Sequence, residues 1–337
     1  MPEGASNTAN PQEQILAIVN NYWQGCCVGA AAQLELADLL ASGPQHVNIL
    51  AERTKTHAPY LYRMLRALES TGIFTQTWPA VFANTPTSEC LQRQAAGSQW
   101  AWIQLTLSSG GLVFEGWRGL ILALQNGRPG FDQLHGSNAW EYMQSHPQQW
   151  AIFNQAMQAL SASMSPAVAA SYDWGRFPVI ADIGGGVGSQ LRAILDAHLS
   201  CRGILFDQPK VVEEAPQHAR MERVGGDFFK EIPVKADAYL LRWVIHDWAD
   251  AEAIHILQNV RKTAAPGARL LVVDSVIPET AAVDAGKWMD VNMLVMAGGV
   301  ERTAAQFRAL YEKAEFELEQ IVPTPSPLSI VIGKLRA

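Results

Sequence analysis

The sequence predicts an α/β fold in which a parallel sheet is finished by an antiparallel strand and preceded by a mainly helical module. Three observations carry that expectation. The stretch Val179–Ser189 reads as a short apolar, β-branched strand broken by Gly184, Gly185, Gly186 and Gly188, then a helix over 189–199 with Leu191, Ile194, Leu195 and Leu199 at helical spacing. Strand-like and helical patterns then alternate, which implies parallel strands with both faces of the sheet covered. The last two apolar runs, 317–322 and 328–333, are joined only by Pro323-Thr-Pro-Ser-Pro327. A parallel crossover needs a dozen or more residues, so runs this close that pair directly must pair antiparallel.

Composition bounds the function. The chain has 337 residues, 48% of them hydrophobic, enough to bury a large core and to form two domains. A formal net charge of −7 argues against a broad nucleic-acid or anionic-membrane surface and favours small-molecule partners. Cys26, Cys27, Cys90 and Cys201 show neither metal-ligand spacing nor a disulfide framework, which reads as a reducing, cytoplasmic setting. The polar stretch Met1–Asn10 lacks the apolar segment of a signal peptide, and no apolar run approaches the roughly 20 residues of a membrane span. Eleven Trp and nine Met suit a pocket for a flat organic ligand, although core packing accounts for most of them.

From the N-terminus, helices are expected over 12–23 and 28–40, the second stopped by Gly43-Pro44. A short helix over 47–53 and a longer one over 58–69, with Leu61, Leu65 and Leu68 in a stripe, precede two short strands at 73–77 and 80–84. Three helices and a two-stranded wing form a winged-helix pattern. A DNA reader needs a cationic recognition helix, and this one offers only Arg63 and Arg66, so a module that packs against another chain is the better reading. Residues 98–172 read as helical and rich in large apolar side chains, with no catalytic cluster. The expected division is therefore 11–97 for the winged-helix-like module, 98–171 for a helical connector and pocket roof, and 172–337 for the sheet domain.

Within the sheet domain, the glycines after Ile183 let a ligand approach the backbone where a side chain would block it. Gly184-x-Gly186-x-Gly188 does not complete the dinucleotide fingerprint, because Ser189 stands where a glycine is required, which argues against a bound pyrophosphate. The next strand ends on Asp207, about twenty residues beyond the glycines, where an acid accepts hydrogen bonds from ribose hydroxyls. Further on, strands are expected at 222–224, 238–244 and 268–277, with helices at 211–219 and 252–264. The strand reaching Ile245 runs into His246 and Asp247, setting a histidine at the carboxyl edge of the sheet, where ligand sites of open α/β sheets lie.

Five segments in order, Asp182-Ile-Gly-Gly-Gly-Val-Gly188, Leu205-Phe-Asp-Gln-Pro-Lys-Val-Val212, Gly226-Asp-Phe-Phe229, Leu241-Arg-Trp-Val-Ile-His-Asp-Trp248 and Gly298-Gly-Val-Glu-Arg-Thr303, resemble the S-adenosylmethionine-dependent small-molecule O-methyltransferases of the caffeate and hydroxyindole type, including bacterial natural-product members. The resemblance covers nearly the whole chain. It implies a Rossmann-like methyltransferase sheet, an N-terminal winged-helix dimerisation domain, and a homodimer. It further implies that Gly184, Gly185 and Gly186 hold the methionine end of the cofactor and Asp207 the ribose, with Asp227 and Phe228 flanking the adenine, and that Arg242 lies beside the cofactor, where plant members often have Lys. His246 matches the family's general base. Asp274 and Glu301 match the two acids flanking it, with Glu common in plant members where Asp274 stands.

The chemistry behind those roles is independent of the resemblance. An aromatic hydroxyl ordinarily ionises near pH 10 and is a poor nucleophile while protonated, whereas a histidine accepts protons near neutrality. An acid bonded to the second ring nitrogen fixes its tautomer and stabilises the imidazolium. Methyl transfer then needs an in-line approach, so positioning supplies much of the remaining acceleration. The acids and histidines lack zinc-ligand spacing, and no metal is expected. Phe114, Trp117, Phe153, Met157, Trp243, Met289, Met293 and Met296 are expected pocket walls, the three methionines sharing one face of a helix over 287–298, and Asp247 a contact for a polar substrate group. The leading reading is methyl transfer from S-adenosylmethionine to a hydroxyl of a small aromatic metabolite. Alternatives are an aromatic N-methyltransferase, an NAD-dependent dehydrogenase and a ligand-binding winged-helix regulator.

Overall fold

The computed structural model describes residues 10–336, so the N-terminal stretch read above lies outside the described residues apart from Asn10. They form two compact units: one runs to residue 115 and includes 146–159, and the other comprises 116–145 and everything from 160 onward. The helical middle of the sequence is thus shared between the units rather than standing alone. Among the described residues, no helix is long and apolar enough to cross a membrane.

The first unit opens on one continuous helix, α1 (Pro11–Gln33), whose first turn is capped by the Asn10 side chain accepting the Gln12 N–H. Two helices were expected here. Gly25 lies where they would part, and a single interior glycine costs only about 1 kcal/mol, too little to interrupt the helix. The chain turns instead at Glu35, in the left-handed region at φ 53°, which leaves α2 (Leu36–Leu39) as one turn. Then follow β1 (Gln45–His46), α3 (Val47–Thr54), α4 (Ala58–Glu69), β2 (Phe74–Trp78) and β3 (Val81–Asn84). The wing is three-stranded in the order β1-β3-β2; two residues are too few for a sequence pattern to reveal β1. Leu61, Leu65 and Leu68 of α4 are buried with Leu36, Leu50, Phe74 and Phe82, while Arg63 and Arg66 stay outside, stacked on Tyr60 and Tyr62. Short helices α5 (Pro86–Glu89), α6 (Trp100–Thr106) and α7 (Leu112–Trp117) follow; α8 (Leu120–Asn126), α9 (Gly130–His135) and α10 (Ala139–Ser145) fall in the second unit, and the long α11 (Pro147–Ala170) is divided between the two.

The second unit holds the sheet. Its elements are β4 (Val179–Ile183), α12 (Ser189–Ala197), β5 (Arg202–Asp207), α13 (Pro209–Glu214), β6 (Met221–Gly225), β7 (Ala238–Arg242), α14 (Asp250–Thr263), β8 (Arg269–Asp274), α15 (Ala285–Met296), α16 (Ala304–Lys313), β9 (Phe316–Pro323) and β10 (Ser329–Leu335). The strand order is β6-β5-β4-β7-β8-β10-β9, with the first five parallel and β10 antiparallel to both neighbours. The expected terminal pair is present, and β10 is wedged between β8 and β9, which makes β9 the edge. That edge carries Glu317 and Glu319, paired with Lys334 and Arg269, charges that discourage further strand addition. One apolar cluster lies on each face of the sheet.

Three elements end earlier than the sequence suggested. β7 stops at Arg242 because Trp243 adopts φ 53°, outside any strand geometry. β8 stops at Asp274, beyond which only Val276 bridges to Arg302. α13 stops at Glu214, since Ala215 precedes a proline and is driven into the extended region. Between β4 and β7 the strand order reverses direction, and a crevice at the carboxyl ends of those two strands is where such sheets bind ligands.

Because Ile330 is fully buried in β10, replacing it with alanine should destabilise the sheet unit by about 2–5 kcal/mol. A lower midpoint in urea unfolding followed by tryptophan fluorescence is the expected result; an unchanged midpoint would contradict the central place of β10.

Candidate active site

At the end of β4 the chain turns through Gly184, Gly186 and Gly188, each with positive φ (70°, 60° and 77°). A side chain at 184 would sit 2.8 Å from Val244 and 3.3 Å from the Phe228 ring, while the space at Gly186 is open. The turn is held from β5: Gly186 N–H donates to Asp207 Oδ2 (2.8 Å) and Gln208 N–H to its Oδ1 (2.7 Å). Burial raises the Asp207 carboxyl, and those two N–H bonds oppose the rise. Beneath the turn lies Asp182, 1% exposed, with neither carboxylate oxygen hydrogen-bonded. Burial pushes it up to about 7, with the Asp207 charge adding and Arg242 opposing.

The end of β7 supplies the facing wall. Arg242 donates from Nη1 to Ser161 Oγ (2.8 Å) and lies 4.4 Å over the Trp243 ring, and its Nε and Nη2 are buried without partners. Burial lowers the guanidinium to about 10 against the pull of Asp182 and Asp274, which still leaves it a cation at neutral pH. The left-handed Trp243 is held by its N–H, which donates to Val273 O (3.2 Å) and Asp274 Oδ1 (2.9 Å). A strained backbone at a non-glycine residue persists only when its surroundings over-determine it, and Asp274 is part of that restraint. The chain then winds into a single 3-10 turn, Ile245–Asp247, which presents His246. The Trp243 and His246 rings lie 13° from parallel, with centroids 6.4 Å apart.

His246 is the meeting point of the acids. Its Nδ1 lies 2.7 Å from Glu301 Oε1 and its Nε2 3.4 Å from Asp247 Oδ1. The backbone locks the two segments together: Val300 N–H donates to His246 O (2.8 Å), and Gly299 leaves no room for a Cβ against that carbonyl. Glu301 N–H in turn donates to Asp290 Oδ1 (2.9 Å). Of the two flanking acids, Glu301 makes the hydrogen bond to His246, whereas Asp274 accepts the Trp243 N–H with Oδ1, keeps Oδ2 buried without a partner, and acts on the imidazole through its charge. Burial on its own would lower His246, but Asp247, the Glu301 hydrogen bond and the charges of Asp274 and Glu301 outweigh it and carry the imidazole up to about 10. Burial also raises Asp247 to about 6 and Asp274 to about 7, in both cases against the pull of His246.

The remaining expected residues divide between the units. Trp117 donates from Nε1 to Asn292 Oδ1 (2.8 Å), and Asn292 Nδ2 meets Met289 Sδ at 3.7 Å, so Trp117 and α15 form one surface. Met293 and Met296 are buried on the same helix, Met296 closely enough to Gly116 that no side chain would fit there. Phe114, Phe153 and Met157 belong to the other unit. Asp227 caps the Phe229 N–H with Oδ1 (2.9 Å) and stays half-exposed. Sequence reading missed Asp182, Ser161, Asn292, Asp290 and Arg302 as functional residues. Asp182, in the strand before the glycine turn, and Arg302, in the segment 298–303, each lay inside a motif that carried the resemblance.

Residues 117–317 match the O-methyltransferase domain family and residues 16–94 the O-methyltransferase dimerisation domain. The chain belongs to the O-methyltransferase family. It is 36% identical over 324 residues to a phenazine O-methyltransferase, PhzM, of Lysobacter antibioticus, covering 94% of each chain. The crystal structure of LaPhzM aligns with a TM-score of 0.91 over 97% of this chain and all of that one. A neocarzinostatin-biosynthesis O-methyltransferase, NcsB1, solved with S-adenosylmethionine and 2-hydroxy-5-methyl naphthoic acid, is 30% identical and aligns with a TM-score of 0.81 over 93% and 96% of the two chains. This methyltransferase therefore uses S-adenosylmethionine, and the dehydrogenase and regulator readings fall away. Its residues fit that cofactor: an open backbone approach at Gly186, a fixed acid at 207, and unpaired buried groups on Asp182 and Arg242 suited to an amino acid's ammonium and carboxylate. Among the described residues, no group of three or more His, Cys, Asp or Glu side chains is arranged to hold a metal ion.

An imidazole raised to about 10 in the folded chain stabilises it by binding its proton more tightly than the unfolded chain does. That contribution is full below about pH 6.5, the ordinary histidine value, and is lost as pH rises through the folded value. The difference in melting temperature between the native chain and His246→Asn should therefore drift steadily against the native chain between pH 7 and 10. A difference constant over that range would contradict a cationic resting imidazole.

Proposed function

We propose that this methyltransferase methylates a hydroxyl group of a small aromatic secondary metabolite, with His246 Nε2 taking the hydroxyl proton. The observation that carries this reading is the buried His246–Glu301 hydrogen bond of 2.7 Å at the carboxyl edge of the sheet, next to the glycine turn's switch point. S-adenosylmethionine supplies an electrophilic methyl group on a sulfonium centre. The chain's own residues do the rest. Asp207 and the glycine turn bind the nucleoside, Phe228 flanks the adenine with Asp227, and Arg242 and Asp182 bind the amino-acid end.

Glu301 holds the proton of Nδ1 and so leaves Nε2 as the nitrogen that can be emptied. The match in basicity supports the role: an imidazole near 10 and a phenolic hydroxyl with an ordinary value near 10 exchange a proton at little cost. Asp247, beside Nε2, steadies the imidazolium as it forms and contacts the acceptor's polar edge. Asp274 orients the site through Trp243, whose ring carries the Arg242 guanidinium over it, lies nearly parallel to His246 and forms a wall for a flat acceptor. Trp117, Met289, Met293 and Met296 extend that wall. The phenazine and naphthoate chemistry named for the relatives supports a fused-ring aromatic acceptor.

The chain works as a homodimer through residues 11–97, with 172–337 as the cofactor-binding catalytic part. Ile15, Leu16, Ile18, Tyr22 and Trp23 of α1 are each at least 60% exposed in the single chain, an apolar face of the kind a subunit interface covers. Four free cysteines support a cytoplasmic location.

With labelled S-adenosylmethionine and a panel of phenols and hydroxyphenazines, methylated product should form, and His246→Ala should lower kcat by about 100- to 10,000-fold while S-adenosylhomocysteine still binds. Undiminished turnover would remove the base. In the native chain kcat/KM should rise with pH between 7 and 9, as the fraction with a bare Nε2 grows; a flat profile would count against His246 as the group that is titrated. Ile18→Asp with Trp23→Asp should shift the sedimenting species toward the monomer, and an unaltered species would move the interface off α1.

A further inference from the structure

The segment that carries Glu301 continues into Arg302, and that side chain is almost wholly buried, with 1% of its surface exposed. A guanidinium has five N–H groups in a rigid fork. Here the fork makes five hydrogen bonds. Nη1 donates to Ile245 O (3.1 Å) and Val300 O (3.2 Å), Nη2 to Trp248 O (3.0 Å) and Asp250 Oδ1 (2.9 Å), and Nε to Asp250 Oδ1 (3.2 Å). Ile245 and Trp248 bracket the His246–Asp247 turn, Val300 immediately precedes Glu301, and Asp250 opens α14. The main chain of Arg302 is itself fixed, because Ile277 N–H donates to its carbonyl (3.1 Å).

We infer that Arg302 is a positioning residue for the base: it staples the turn bearing His246 to the segment bearing Glu301 and so sets the Nδ1–Oε1 contact. This rests on His246 acting as the proton acceptor. A 3-10 turn three residues long has little hydrogen bonding of its own to resist rotation, and the strand before it has already ended at Arg242. The fork binds the carbonyls on both sides of the turn, Ile245 O, which already accepts the Trp248 N–H (3.3 Å), and Trp248 O, together with Val300 O on the Glu301 segment, so the contacts that tie the two segments also orient the imidazole. A lysine keeps the charge and loses the fork, since its three N–H groups radiate from one nitrogen and cannot span Ile245, Trp248 and Val300 together.

The consequence for basicity has a definite sign. His246 is faced by Asp247 from its own turn, by Glu301 and by Asp274 from β8, with Asp290 of α15 bonded to the Glu301 N–H and Arg242 over the Trp243 ring. The five hydrogen bonds of the Arg302 fork go to three main-chain carbonyls and Asp250, none to the ring. Loosening the staple weakens the hydrogen bond that favours the imidazolium, so the base becomes easier to empty and also less well placed. A purely structural arginine would instead reduce the folded fraction and scale activity down equally at every pH.

The test is the pH profile of kcat/KM for Arg302→Lys beside the native chain and His246→Asn, at saturating S-adenosylmethionine. In Arg302→Lys the acid limb should move to lower pH by about one unit and kcat should fall by about tenfold, with S-adenosylhomocysteine affinity unchanged by calorimetry. An acid limb that stays in place, whatever happens to the amplitude, overturns the inference. If Arg302→Lys does not yield folded protein, Asp250→Asn carries the test, because Asp250 is largely exposed and anchors two of the five hydrogen bonds. Its limb should move in the same direction by a smaller step, and a stationary limb again overturns the inference. Full turnover in His246→Asn would remove the base itself; loss of turnover there with an unmoved limb in the arginine variant would remove only the staple.

Discussion

The hydrogen bond between His246 Nδ1 and Glu301 Oε1 is the contact on which the chemistry of this methyltransferase depends. It joins residues 55 positions apart in the chain, both nearly excluded from solvent. A buried carboxylate without a partner would be costly, and a buried imidazole without one would be driven neutral. Brought together they make each other tolerable, and the geometry that does so also decides which ring nitrogen is left to face an acceptor. The surrounding sheet can be read as the apparatus that brings those two segments to one place.

Several restraints converge on that place. The sheet reverses its strand order between β4 and β7, opening the crevice in which the glycine turn and the histidine turn are neighbours. Trp243 leaves the strand in a left-handed conformation, which ends β7 early enough for a 3-10 turn to form over the sheet edge. Asp274 holds that conformation by accepting the Trp243 N–H and makes no hydrogen bond to His246, leaving that contact to Glu301. The aspartate is one methylene shorter than glutamate, and its role is correspondingly displaced from the imidazole to the tryptophan beside it. Its charge still bears on His246, so one carboxylate supports the base both by shape and by field.

The site gathers buried ionisable groups with unsatisfied polarity. Asp182, Arg242, Asp274 and Glu301 each keep at least one buried polar atom without a hydrogen-bond partner. Such atoms are expensive in a packed interior, and their clustering along the carboxyl ends of β4, β7 and β8 is what a zwitterionic, hydroxyl-bearing cofactor and a polar acceptor would relieve. The apolar contribution is of a different kind. Trp117, held by Asn292, and the methionines of α15 present broad, adaptable surface without competing for those polar groups.

The sequence by itself determined the order of elements, the glycine turn, the acid at 207, the terminal antiparallel pair and the histidine at 246. Each is a local matter, a run of β-branched residues, a left-handed glycine or a connection too short to cross over, and local patterns survive in a linear string. Only the tertiary structure decided which acid binds the histidine, where β7 ends, that β10 is wedged inside the sheet, and that Arg302 spans two segments. Those outcomes depend on groups far apart in the chain competing for the same few donors and acceptors. Asp274 and Glu301 look equivalent in the sequence; the Trp243 N–H claims one of them, and the imidazole takes the other.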